Sequence, residues 1–141
     1  MTEAPRKYLI FTLAGKRFAL DLAQVAEVEE QPATWPIPMP PRCYTGAMSF
    51  HGTIIAVMDL AMFLGLPGCD GTDTAIVIDT RIASLAFLVE RVIRITSVDQ
   101  AAVQEDTDEP FATARLHLTD GAATLLDAAA IAERAAETIN D

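Results

Sequence analysis

The chain has 141 residues, 51% apolar and 21% charged, with ten Lys and Arg against twenty Asp and Glu. That is enough apolar chain for one folded domain, which at this length buries about 68–70% of the surface its unfolded form exposes. The net charge of −10 repels phosphate backbones and disfavours anionic membrane surfaces, and the densest basic stretch is only Arg6-Lys7, so neither nucleic acid nor direct membrane insertion is expected.

In chain order, Tyr8 to Leu13 is aromatic and β-branched and predicts a first strand. Ala14-Gly15-Lys16 turns the chain. Phe18, Leu20 and Leu22 then share one face at period two. Asp21 to Gln24 reads as a single helical turn or a bend. Val25 to Glu30 is a strand with Glu27, Glu29 and Glu30 in water. Five prolines between Gln31 and Arg42 forbid a helix or a central strand, so this is an extended loop carrying Trp35, Ile37 and Met39. Tyr44 to Phe50 and Thr53 to Met58 form a hairpin around His51-Gly52. The second of these strands is almost wholly apolar, which predicts burial on both faces. Asp59 ends it and caps a short helix, Leu60 to Leu64, stopped by Gly65 and Pro67. Gly68 to Asp73 is a polar loop and the best internal boundary.

Thr74 to Asp79 is another buried strand, Thr80-Arg81 turns it, and Ile82 to Val89 pairs back. Glu90 to Ile95 is a further strand, and Asp99 to Pro110 an acidic loop. Arg115 to Thr119 and Ala122 to Leu126 flank Asp120-Gly121, which predicts a type I′ turn with Gly121 as its structural residue. Asp127 caps a C-terminal helix from about residue 128 to 139. The halves repeat. Phe18 to Val25 resembles Leu85 to Val92, and Gly52 to Asp59 resembles Gly121 to Asp127, at nearly constant offsets of 67 to 69 positions. Many short strands in two copies of one unit favour barrels or a sandwich.

No catalytic motif is present: no GxSxG, no HExxH, no phosphate-binding glycine loop. His51 and His117 are isolated. Cys43 and Cys69 make no CxxC or zinc pattern and read as reduced thiols of a cytosolic protein, and the acidic loops lack EF-hand spacing. No metal and no other cofactor is expected. Asp59 and Asp127 stand at strand ends, where paired carboxylates could do acid–base work, but a helix cap accounts for each. The most apolar stretch, Ile54 to Leu66, is too short to span a bilayer and contains Asp59. Met1 to Lys7 lacks a signal-peptide core. A cytoplasmic binding module that is not an enzyme is the expectation.

One family matches these landmarks in order. Tyr8 to Leu13, Phe18-Ala19-Leu20-Asp21, Val25 with Glu27, the proline-spaced loop, and Gly46 to Leu60 resemble the CheW family of bacterial chemotaxis adaptors. Leu88 to Val92 and Leu125-Leu126-Asp127 resemble its later landmarks, so the likeness spans about residues 7 to 132. The resemblance implies an all-β fold with short helices: two intertwined five-stranded SH3-like barrels and a C-terminal helix in a single domain, 1–141. The expected division is subdomain 1 at about 15–73 and subdomain 2 at about 7–14 plus 74–132. The first strand crosses to the second barrel, so Leu9 or Phe11 should meet Ile76, Ile78 or Phe87.

The implied function is to bridge the cytoplasmic helix tip of a methyl-accepting chemoreceptor to the regulatory domain of a CheA-type histidine kinase. The implied partner-binding residues are Val25, Val28 and Val92, beside a groove between barrels, and Ser49, Phe50 and His51 at the hairpin. Gly52, Asp59, Gly121 and Asp127 are structural. Val28→Glu is expected to weaken the receptor without disturbing the fold, and Glu105→Lys with Asp106→Lys to leave binding nearly unchanged. The family usually carries Arg where His51 stands, Pro at Ala56, Arg at Ala61 and Asp at Glu90. Histidine cannot fork onto a carboxylate as arginine does. An accessory of another pathway, such as surface motility, that binds receptor or kinase alone therefore stays open, as does, more remotely, a small β-barrel enzyme.

Overall fold

Alternating apolar side chains build two sheets that share a core between them. The computed structural model describes residues 6–67, 72–105, 109 and 111–140. Its strands are β1 (Arg6–Leu13), β2 (Lys16–Asp21), β3 (Val25–Glu30), β4 (Thr34–Trp35), β5 (Tyr44–Phe50), β6 (Thr53–Asp59), β7 (Thr74–Ile78), β8 (Leu85–Val89), β9 (Arg91–Val98), β10 (Val103–Gln104), β11 (Ala112–Leu118) and β12 (Gly121–Leu126). The helices are α1 (Leu60–Phe63) and α2 (Ala128–Asn140), with single 3-10 turns at Leu22–Gln24 and Gln100–Ala102. One sheet runs β10-β11-β12-β2-β1-β9 and the other β3-β7-β8-β6-β5-β4.

The central strands are buried on both faces because they divide their side chains between two cores. Leu9, Phe11, Leu13, Phe18 and Leu20 point to the core between the sheets, where they join Ile76, Ile78, Phe87 and the apolar stripe of α2. Tyr8, Ile10 and Ala19 point the other way, into a smaller cluster with Val98, Leu116 and Ala123. The second sheet does the same, sending Ala75, Val77 and Ala86 to a third cluster with Met48, Ile55 and Val57. The first strand thus shares a core with Ile76, Ile78 and Phe87, and it pairs with β9 from Arg6↔Val98 to Thr12↔Arg91.

The repeat is visible in three dimensions. β1 to β6 with α1 correspond to β7 to β12 with α2, and the two sheets have the same strand order once each is read from its two-residue strand, β10 or β4. Irregularities repeat too. The β3–β7 ladder skips Ala26 and the β1–β9 ladder skips Ile93, while Thr45 and Thr113 are skipped in the two long hairpins. Each unit sends its leading pair of strands into the other's sheet: β1 and β2 join β9 to β12, and β7 and β8 join β3 to β6.

This exchange corrects the expected subdivision. The sheets draw on 6–21 with 91–126 and on 25–89, not on 15–73 and on 7–14 with 74–132. The first strand does not cross alone. The two-residue turn Ala14-Gly15, both at positive φ (51° and 75°), ties β2 to it, so the hairpin travels as one piece. Each sheet has a sixth, two-residue strand beyond the five expected.

Two local expectations also change. Ile54 is 68% exposed although β6 was expected to be buried on both faces, because β6 begins outside the core and its side chains are covered only from Ile55 onward. The turn at Asp120 is not type I′. Leu118 pairs with Gly121, which leaves Thr119 and Asp120 as the loop, and only Gly121 has positive φ (137°). The type I′ pattern occurs instead at His51-Gly52, with φ 48° and 81° between Phe50 and Thr53.

Candidate functional site

The expected partner-binding residues fall into two groups. Val25 and Val28 lie on β3, the outer strand of one sheet, and Val92 on β9, the outer strand of the other. All three are half-buried and pack against the same core between the sheets. The two edges therefore border the same core. On β3 the exposed side chains are Ala26, Glu27 and Glu30; on β9 they are Arg91, Ile95 and Ser97. Val28 is too well packed for a clean surface probe: a glutamate there sets a charge against the main core, so Val28→Glu costs stability and does not leave the fold undisturbed as expected.

Ile95, 54% exposed, is the accessible apolar group on this edge, and sequence reasoning missed it. The signal was available. Val92, Ile93 and Ile95 break the period of two, and the bulge at Ile93 turns that side chain toward the smaller cluster with Tyr8 and leaves Ile95 in water.

Ser49, Phe50 and His51 lie elsewhere, at the β5–β6 hairpin. Ser49 and His51 are exposed. Phe50 is half-buried against the third cluster, and its ring meets the His51 imidazole edge-on with centroids 4.2 Å apart. Among the described residues, the large exposed apolar side chains on the strands of this sheet are Trp35 (42%) on β4 and Ile54 on β6; the sequence placed Trp35 only in an extended loop and assigned neither as a contact. Ile54 pairs with Ser49, and Trp35 with Ala47, on the same face of the sheet.

The strand-end carboxylates act on backbone. Met62 N–H donates to Asp59 Oδ1 at 3.1 Å, and Ala129 N–H to Asp127 Oδ1 at 3.0 Å. Gln24 adds a second anchor for α2. Its amide donates to Asp127 Oδ1 (3.2 Å) and its carbonyl oxygen accepts from Ala128 N–H (3.0 Å). No local pattern announces this, since the partner is 103 positions away. Burial pushes the Cys43 thiol up, Arg42 opposes it and Asp59 adds to it, which disfavours the thiolate that nucleophilic chemistry needs. Cys69 and Asp106 lie outside the described residues. His117 is exposed, with Nε2 at 3.0 Å from Gln104 Oε1.

Charge on the first sheet converges at Asp120. Arg94 donates to both carboxylate oxygens at 2.8 and 3.1 Å, and Arg17 Nη1 stands 3.0 Å from Oδ1. The Arg94 hydrogen bonds, with help from Arg17, hold the Asp120 carboxyl down to about 2. Asp79 is held down to about 2 by hydrogen bonds from Arg81. Among the described residues no polar side chain is buried without a partner, no group of three His, Cys, Asp or Glu gathers, and no helix is long and apolar enough to cross a membrane.

Two sheets that exchange their leading hairpins over a shared core define a duplicated, two-sheet β scaffold whose outward features are strand edges and a hairpin tip. The crystal structure of the scaffolding protein TtCheW from Thermoanaerobacter tengcongensis has this architecture, with a TM-score of 0.79 and 23% identity over 90% of this chain and 92% of that one. The chemotaxis protein CheW of Bacillus subtilis (strain 168) is 26% identical over 111 residues, 72% of this chain and 71% of its own. A sequence profile of the CheW-like domain matches residues 7–136, and the chain belongs to that family.

Proposed function

We propose that this protein is a non-catalytic, cytoplasmic adaptor of chemotaxis-type signalling that links a chemoreceptor's cytoplasmic helix tip to the regulatory domain of a CheA-type histidine kinase. Its family membership supports the reading. So does one observation above the rest: two edge strands, β3 and β9, leave Val25, Val28 and Val92 half-buried against one core, with Ile95 exposed on β9. An apolar helix against these strands extends a core that already exists. The second contact falls on the β4–β5–β6 face, where Trp35 and Ile54 stand exposed beside the Ser49-Phe50-His51 hairpin.

Calorimetric titration with a receptor-tip hairpin and, separately, with the kinase regulatory domain tests this. Ile95→Glu should weaken the receptor about tenfold or more and spare the kinase, and Ile54→Glu should do the reverse. Binding of neither partner, or loss of both with either variant, sinks the assignment. His51, where the family's arginine usually stands, favours one second reading: an accessory that holds receptor alone. In that case the kinase titration is silent and His51→Arg restores it.

A further inference from the structure

The two helices of the repeat begin alike and end differently. Asp127 N–H donates to the Phe111 carbonyl and Asp59 N–H to the Cys43 carbonyl, both at 2.8 Å, and Cys43 and Phe111 share positive φ (77° and 65°). From these matched starts α2 runs for 13 residues and α1 for four. α2 buries Ala128, Ile131, Ala132 and Ala135, spaced i, i+3, i+4 and i+7, in the cluster that holds Tyr44, Met58 and Leu85. Tyr44 O–H donates to the Ala135 carbonyl at 3.3 Å. In the other unit the matching positions are Ala112, Leu126 and Phe18. There α1 supplies Leu60 and Phe63, then Gly65 (φ 74°) and Pro67 end the helical path.

What remains is an open groove of about 470 Å³, bounded by Phe18, Leu126, Phe111, Phe63 and Leu66. Past the Phe63–Phe111 ring pair, 5.0 Å between centroids, lies a second hollow of about 380 Å³ that shares Phe63, Gly65 and Phe111 with the first. The border is cationic in an acidic protein. Lys16, Arg17, Arg42 and Arg134 are four of the chain's ten cations, Arg17 being paired with Asp120 and Arg134 with Glu137, whereas Glu109 is the one acid of twenty that borders either hollow among the described residues.

We infer that this groove takes an amphipathic α-helix from another protein, seated as α2 is seated in the other unit. The partner helix carries small and branched apolar side chains at i, i+3, i+4 and i+7 and carboxylates on its flanks. Neither the β3 and β9 edges nor the hairpin tip contributes a residue to the groove. Its occupation and the adaptor contacts can therefore fail independently.

The probe is a fluorescein-labelled peptide with the sequence of residues 127–140, which has the required stripe, and three acids against one arginine. Added to the full chain, it should show saturable anisotropy and shift the amide resonances of Phe18, Phe63, Phe111 and Leu126. Leu66→Asp should weaken it about tenfold or more, and the exposed Lys16→Glu about threefold, with the Lys16 effect shrinking in high salt. Thermal melts of both variants check folding, and Lys16→Glu keeps the test decisive if Leu66→Asp unfolds. Absence of saturation up to about 1 mM protein overturns the inference. So do shifts confined to Tyr44 and Met58, which mean that the peptide merely replaces α2. Self-association of the chain that Leu66→Asp abolishes assigns the groove to a second copy and overturns it as well.

Discussion

Asp59 shows how a single carboxylate can be read two ways and settled by geometry. It ends a buried strand, and its Oδ1 accepts from Met62 N–H, so its work is on the first turn of α1. Asp59→Ala should cost about 0.5–2 kcal/mol in thermal melts and Asp59→Asn little, because asparagine caps almost as well. An Asp59→Ala protein that melts like the parent but loses a partner would make the residue a contact instead. Asp120 gives a pH-dependent case. Its folded carboxyl, held down to about 2, lies below its ordinary 3.8. The folded state therefore binds fewer protons, and the contribution of Asp120 is complete above about pH 4 and lost as pH falls toward 2. Denaturant titrations of the parent and Asp120→Asn should show a gap at pH 5 that closes by pH 2. A gap that stays constant would mean that Arg94 and Arg17 do not act through the charge.

At the scale of elements, the repeat exposes where the two units were forced apart. Gly46 on β5 corresponds to Ala114 on β11, yet a Cβ at Gly46 meets the Trp35 carbonyl closer than side-chain carbons ever approach. The cause is β4, whose backbone crosses close to β5 there. Gly46→Ala should therefore push β4 away, cost about 1–3 kcal/mol and shift the emission of Trp35, the chain's single tryptophan, to the red. An unchanged spectrum would mean that β4 adapts without leaving. Most elements were legible beforehand, because alternation, Gly-containing turns and caps are local signals. Ile95 and Ile54 were not legible as exposed residues. Their exposure depends on a bulge in the ladder with β1 and on where the core stops along β6.

For the whole molecule, the exchange of hairpins makes the two units interdependent. Without β7 and β8, β3 has no ladder partner, and without β9 and β12, the β1–β2 hairpin has nothing on either side. Fragments 1–67 and 72–141 should each lack a cooperative melt and regain one when mixed in equal amounts, at a concentration-dependent midpoint. A cooperative melt for either fragment alone would show that one unit suffices.

The sequence by itself determined ten of the twelve strands, the two caps, the tight turns at Ala14-Gly15 and His51-Gly52, the repeat and the family, and missed the two-residue strands β4 and β10. Each feature it determined depends on residues close together in the chain or on their order along it. Only the tertiary structure decided which strands share a sheet, that β2 travels with β1, and that Gln24 anchors α2. The same holds for the placement of the expected contact residues in two separate groups. Every strand here is apolar enough to pair with several others, so local pattern cannot choose among partners. That choice rests on which pairing closes the core between the sheets, a property of the whole chain at once.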